Sequence, residues 1–247
     1  MYGLALRLRA HFRVFSIFTA VLFCPAGHAL VISQIYGGGG NSGATFTNDF
    51  IELFNDTPSA VTLDGMTVQY TSAGGTTWQA TALSGNVDPY RYFLIQEAAG
   101  SGGTTALPTP DIIGSIGLSA SSGKVALVNG LSLLSLSATC TNLTLVDLVG
   151  FGSADCYEGS AAGPHLSNTL AIARMMGGLT DTNDNAADFS LVTPNPRNST
   201  YSANIPLLPV DPGEIVNTVN EPGSILLMII GLAAVTARRR RAVACSL

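Results

Sequence analysis

Five carboxylate or carboxamide side chains crowd into eight residues: Asp181, Asn183, Asp184, Asn185 and Asp188. Hard oxygen ligands at alternating positions suit Ca²⁺, and Asp181, Asn183, Asn185 and Asp188 are the set that such an ion would take. The run D-x-N-x-N opens like an EF-hand loop. Ala186 stands at its sixth place, where that loop needs glycine, and Val192 at its twelfth, where it needs glutamate, so it is not one. The other reading is a set of turns in which Asp and Asn bond back to neighbouring amides. A nucleophile would need a base, and His165 is the one histidine beyond residue 28. It lies in the loop-like run Ala162-Gly163-Pro164-His165-Leu166-Ser167, and the chain has no G-x-S-x-G elbow. Ser121-Ser122-Gly123-Lys124 matches S-x-x-K, but that motif needs a helix, and Gly123 opens a strand-like run instead. Residues 38–43 satisfy G-x-G-x-x-G after a strand-like run. No helix follows to meet a pyrophosphate, which leaves a wide glycine-rich loop. Asp49 and Glu52 stand three apart, on opposite faces of a strand, and so do not form a catalytic carboxylate pair.

The elements that must position these groups read as strands. Short apolar or alternating runs fall at residues 30–36, 50–55, 66–71, 92–96, 125–129, 143–149 and 170–174. Met66, Val68 and Tyr70 alternate with Thr67 and Gln69, the period of a half-buried strand. Turn signals separate the runs: 37–40, Asp64-Gly65, Gly74-Gly75, Asp88-Pro89, Ser122-Gly123 and Asn129-Gly130. No long amphipathic helix is evident. Seven or more short strands with loops of varied length predict an all-β sandwich.

Charge is scarce and unevenly placed. Only 11% of the 247 residues are charged, against about 25% in an average soluble protein. Arg7, Arg9 and Arg13 lie at the start, and Arg238, Arg239, Arg240 and Arg241 near the end. Between them, four basic residues (Arg91, Lys124, Arg174 and Arg197) face sixteen acidic ones, a net −12. Such a body is a poor binder of nucleic acid, whose affinity rests on Lys and Arg at phosphates.

The ends read as addresses. A basic start, an apolar run at 14–23 and small residues ending at Ala29 have the layout of a secretory signal peptide, residues 1–29. At the other end, Glu221, Pro222 and Gly223 lead into an uncharged run that stops at the four arginines. Sixteen residues of helix would reach about 24 Å, short of the roughly 30 Å hydrocarbon core, so the segment is a marginal span. The arginines should stay cytoplasmic and the acidic body outside. This three-part tail, residues 220–247, resembles the PEP-CTERM sorting signal of exosortase substrates, with Asn220 in place of the motif's first proline. The resemblance implies a Gram-negative-type bacterium, processing by signal peptidase and an exosortase-type enzyme, and a transient inner-membrane tether. The alternative is a plain membrane anchor. Residues 201–219, with Pro206, Pro209 and Pro212, read as an extended linker.

With both ends removed, Cys140 and Cys156 are the cysteines left, and in an oxidising compartment they are expected to pair. Closing a loop of that length is worth about 3 kcal/mol in the chain-entropy model. One histidine and two oxidised cysteines leave no structural zinc site.

The body carries a second resemblance. Residues 31–44 run into Asn48-Asp49-Phe50-Ile51-Glu52-Leu53-Phe54-Asn55, followed by 63–66, 146–152 and 181–189, and closing on Thr193-Pro194-Asn195-Pro196-Arg197-Asn198. In order and wording, residues 30–200 resemble the bacterial lamin tail domain, an immunoglobulin-like β-sandwich. The resemblance implies a fold and little chemistry. The expected function is that of an exported, non-catalytic surface or extracellular-matrix protein. It would act by binding, with extracellular polysaccharide or another surface protein as partner, and no cofactor unless calcium. The alternatives are an extracellular hydrolase or nuclease-associated module, and a calcium-dependent adhesion module.

Overall fold

The computed structural model describes residues 30–135, 140 and 144–203. The leader 1–29, the linker beyond residue 203 and the sorting tail with Glu221, Pro222, Gly223 and residues 238–241 lie outside the described residues. Twelve strands follow one another: β1 (Val31–Tyr36), β2 (Asn48–Phe54), β3 (Val61–Thr62), β4 (Met66–Ser72), β5 (Gln79–Ala82), β6 (Asn86–Val87), β7 (Tyr92–Ala99), β8 (Ile112–Ile113), β9 (Gly123–Asn129), β10 (Leu145–Phe151), β11 (Ala171–Arg174) and β12 (Phe189–Val192). Among the described residues, helix is limited to a 3-10 turn, Met175–Gly178, and one turn of α-helix, α1 (Asn185–Asp188). None of these helices is long and apolar enough to cross a membrane.

The strands form an all-β sandwich. One sheet has the order β12-β11-β1-β2-β7-β8 and the other β10-β9-β4-β5, with β3 and β6 as a separate pair. Pairing is antiparallel except between β7 and β8. Alternation along each strand sends one row inward. Ile32, Ile51, Leu53, Phe93, Ile95 and Ile172 from the first sheet meet Val68, Tyr70, Val125, Leu127, Val149 and Phe151 from the second in one buried core.

Both outer faces are covered as well. Val68 and Tyr70 point inward as their spacing predicts, yet Thr67, Gln69 and Thr71 are buried too. Their polar face does not meet water. It anchors a flap: the Gln69 amide donates to Ser132 O and accepts from Leu134 N, and Thr67 Oγ1 donates to Gly130 O. Beneath this flap lie Trp78, Ala126, Val128, Leu148 and Cys156. The Cys140–Cys156 disulfide forms there, with Cα atoms 5.5 Å apart. The glycine-rich loop is a packing hub rather than a cradle. Gly40 N donates to Phe46 O, Gly102 N donates to Gly40 O, and a Cβ at Gly39 would lie 1.9 Å from the Asn48 carbonyl carbon.

Several expected boundaries shift, β7 running on to Ala99 and β9 starting at Gly123 among them. Strand β2 starts two residues before the expected 50, β10 runs 145–151 rather than 143–149, and residues 201–203 belong to the body rather than the linker. Ser202 bridges Arg91, and Ala203 N donates to Tyr90 O.

Candidate functional site

The outer face of the six-stranded sheet holds a row of polar side chains bonded to one segment. That segment is residues 193–200, Thr-Pro-Asn-Pro-Arg-Asn-Ser-Thr. Pro194 and Pro196 lack N–H groups and fix φ, so the run is extended without extending β12. It crosses over the strands as a strap, held at successive points. Gln34 of β1 bonds Asn195 twice, Nε2 to its O at 3.0 Å and Oε1 from its N at 2.9 Å. Glu52 of β2 accepts from Arg197 N at 2.7 Å, Nε at 3.1 Å and Nη2 at 2.7 Å, and from Ser33 Oγ at 2.6 Å. The guanidinium lies 3.6 Å from the centre of the Tyr92 ring on β7. Asp111 accepts from Ser199 N and Oγ, and Asn198 Nδ2 donates to Thr109 O. Burial raises the pKa of Glu52, and the bonds and charge of Arg197 oppose that rise.

Beside the strap, small side chains leave a hollow. Gln34, Ala173 and Ser190 are cross-strand neighbours on β1, β11 and β12. With Ala and Ser in that row, a groove of about 590 Å³ opens between the strap and the turn at Met175–Gly178. Met176 (φ +53°) and Gly177 (φ +73°) are left-handed there, and Met176 is 76% exposed.

Arg174 ends β11 and is wholly buried beneath this face. Its Nη2 lies 2.9 Å from Asp147 Oδ2, and its Nη1 lies 2.9 Å from Asp181 Oδ1 and 3.2 Å from Asp188 Oδ2. Burial alone would lower the pKa of Arg174, but the three carboxylates raise it, and the cation is retained. This arrangement corrects the calcium reading. Asp181 and Asp188 turn onto a guanidinium, which takes the place a cation would need. Asn185 faces away: its Oδ1 accepts from Gly150 N and Glu158 N, and its Nδ2 donates to Leu148 O. Asn183 takes a left-handed φ of +55°, its N donating to Asp181 Oδ1, while Asp184 caps α1 through Ala186 N. The four residues do not converge on one point, and among the described residues no group of three or more His, Cys, Asp or Glu is placed to hold a metal ion.

The remaining sequence candidates disperse. Lys124 lies in β9, bonded to Gly75 O and Asp155 Oδ1, away from the hydroxyl of Ser121. Ser122, not Ser121, meets the histidine: its Oγ is 3.3 Å from His165 Nδ1 and accepts from Ser153 N at 3.1 Å. Among the described residues no carboxylate bonds that ring. Asp49 and Glu52 do face opposite ways. Asp49 instead shares the interior with Glu97, a proximity that their 48-residue separation hides. Asp49 Oδ2 accepts from Leu118 N, and Glu97 accepts from Ile116 N and Thr81 Oγ1. Burial pushes each carboxyl up to about 7, and Glu158 to about 8.

No family model matches the chain, and no curated protein matches it. A crystal structure of a DUF4876 family protein from Bacteroides thetaiotaomicron is similar, at 15% identity and a TM-score of 0.46, over 71% of this chain and 76% of that one.

The clamping roles of Gln34, Glu52 and Asp147 escaped the sequence reading, although one signal pointed at the partners of Glu52 and Asp147. A body with four cations spends each one. Lys124, Arg174 and Arg197 all pair with carboxylates, and Arg91 Nη1 donates to Thr200 O.

Proposed function

We propose that the chain is an exported, non-catalytic interaction module of lamin-tail, immunoglobulin-like type. Residues 1–29 direct its export, and the exosortase-type tail 220–247 tethers it briefly to the inner membrane. It then serves at the cell surface or in the extracellular matrix, on polysaccharide or another surface protein. One observation carries the reading: the ionisable groups of the body fasten loops to sheets. Glu52, Asp147, Arg174 and Arg197 hold the strap and the 181–188 segment, and Asp49 and Glu97 hold backbone amides. The disulfide supports an oxidising destination.

The test is export of the full chain with a loop tag, followed by fractionation and intact mass. The expected product lacks both ends, carries one disulfide and sits at the surface or in the medium. A full-length product in the cytoplasm refutes the reading. The Ser122–His165 contact favours the hydrolase as second reading. Turnover of secreted polymers that vanishes in His165→Ala, with stability unchanged, would establish it in place of the first.

A further inference from the structure

The groove of about 590 Å³ between the strap and the turn at Met175–Gly178 falls within the size range of small-molecule sites. Its polar lining consists of groups that the fold leaves unused. Gln34 spends its amide on the backbone of Asn195 and not on the Asn195 side chain. Among the described residues, the side chains of Ser190, Thr193 and Asn195 bond to no other protein group. Arg197 gives Nε and Nη2 to Glu52. Its Nη1 has no hydrogen-bond acceptor among the described residues and faces the turn, 3.6 Å from where a Cβ on Gly177 would sit. Two hydroxyls and a carboxamide can each donate and accept, and Nη1 can donate. The rest of the lining includes Met175 and Met176, whose thioethers are soft, polarisable and adaptable surfaces.

Charge narrows the ligand. The Arg197 guanidinium is already matched by Glu52. Arg174, whose side chain is wholly buried beneath this face, meets Asp147, Asp181 and Asp188, three carboxylates to one cation. An anionic ligand finds no unspent cation to offset its desolvation, and a cationic one meets the guanidinium in the wall. An extended peptide is recognised by a ladder of backbone hydrogen bonds. The strap offers none here: Pro194 has no N–H, the N and O of Asn195 are held by Gln34, and Arg197 N is held by Glu52. What fits is an uncharged ligand whose hydroxyls both donate and accept and whose C–H faces can rest on a thioether.

We propose that this groove binds one unit of a neutral saccharide. Ser190, Thr193, Asn195 and Arg197 Nη1 bond its hydroxyls, and Met175 and Met176 take its C–H face. The short side chains of Ala173 and Ser190, neighbours across β11 and β12, leave the room for the sugar ring. Polymers that carry uronate, sulfate or phosphate on every unit are rejected. The inference rests on the reading of the body as a binder of extracellular polysaccharide and names the class that it takes.

Calorimetric titration of the full chain, purified from whichever fraction holds it, tests the proposal. The probes are neutral gluco-, manno- and galacto-oligosaccharides, oligogalacturonate as the anion and oligomeric glucosamine as the cation. At least one neutral series should saturate and bind about tenfold or more tighter than either charged probe. Asn195→Ala removes an unused side chain and keeps the backbone clamp to Gln34, so Tm should hold while that sugar binds about fivefold more weakly. Ser190→Phe fills the groove and should weaken it by about tenfold or more. No saturation by any neutral series, equal or tighter binding of a charged probe, or wild-type affinity in either variant overturns the proposal. Such a failure leaves the export reading standing, whereas a full-length cytoplasmic product overturns that reading even where the sugar binds.

Discussion

Removing Arg197 isolates a carboxylate, and the consequence depends on pH in a calculable way. The Glu52 side chain is 0% exposed, and Arg197 supplies three of its hydrogen bonds and its counter-charge. In Arg197→Met the backbone N–H of residue 197 remains, but the guanidinium is lost. Glu52 must then stay charged and unpaired in the interior or take up a proton. Protonation sets the ceiling on the cost, at about 1.4 kcal/mol for each unit by which the pH exceeds the ordinary glutamate value of 4.5. At about pH 8 that ceiling is about 4.8 kcal/mol, in the range found for breaking a buried pair, and at about pH 5 it is about 0.7 kcal/mol. The sign follows from the raised folded pKa: the variant's stability is present below the unfolded value and is lost as pH rises through the folded one. A further loss of about 1–2 kcal/mol, independent of pH, comes from the cation–π contact with Tyr92. Urea unfolding of wild type and variant at both pH values reads these numbers directly. The double variant Glu52→Gln with Arg197→Met should recover most of the pH-dependent part. An equal loss at the two pH values, or no recovery in the double variant, refutes the reasoning.

Three further outcomes are expected. Asp49 and Glu97 titrate at about 7 and Glu158 at about 8, all raised by burial, so each contributes stability that is present in acid and lost toward alkaline pH. At about 1.4 kcal/mol for each pH unit below the folded value, each would account for about 2–4 kcal/mol between about pH 5 and pH 8, so Tm should fall by roughly ten degrees or more by calorimetry, and Asp49→Asn should flatten part of the profile. Cys140→Ser should cost about 3 kcal/mol and loosen the flap over Trp78, the one tryptophan of the chain, so its emission should shift to the red before global unfolding. Gly39→Ala should abolish folding, because its Cβ would sit inside the Asn48 backbone. Gly43→Ala meets nothing within 4 Å and should cost about 1 kcal/mol from its left-handed φ, as judged by soluble yield and Tm.

Much of the sandwich was legible in the sequence because buried strands advertise themselves. Met66, Val68 and Tyr70 alternate, and four of the six residues at 31–36 are apolar. The strands that escaped notice, β3, β5, β6, β8 and β12, are two to four residues long and stand at edges or in a separate pair, where few apolar side chains mark them. Outer-face burial was also hidden. Thr67 and Gln69 look like a solvated row until a flap more than sixty residues downstream bonds to them. The acidic cluster at 181–188 has a local reading as turns and a non-local one as partners of Arg174. Only the fold brings Asp147 and Arg174 to it, and that decides against the ion. The Ser122–His165 contact spans 43 residues, and spacing alone does not foretell it.

The small cluster of Val31, Phe54 and Tyr92 with Ala203 contains residues from both extremes of the described body. Its two ends therefore meet at one place, and the rest of the sandwich is a closed loop hung from that point. A pull applied between the ends would act first on this cluster, on the start of β1 where Val31 pairs with Phe54, and on the Ser202–Arg91 bridge. The same closeness makes the body a natural insert for a host loop, and a candidate for circular permutation, with residue 203 joined to residue 30 and new ends opened at the exposed Gly85 turn.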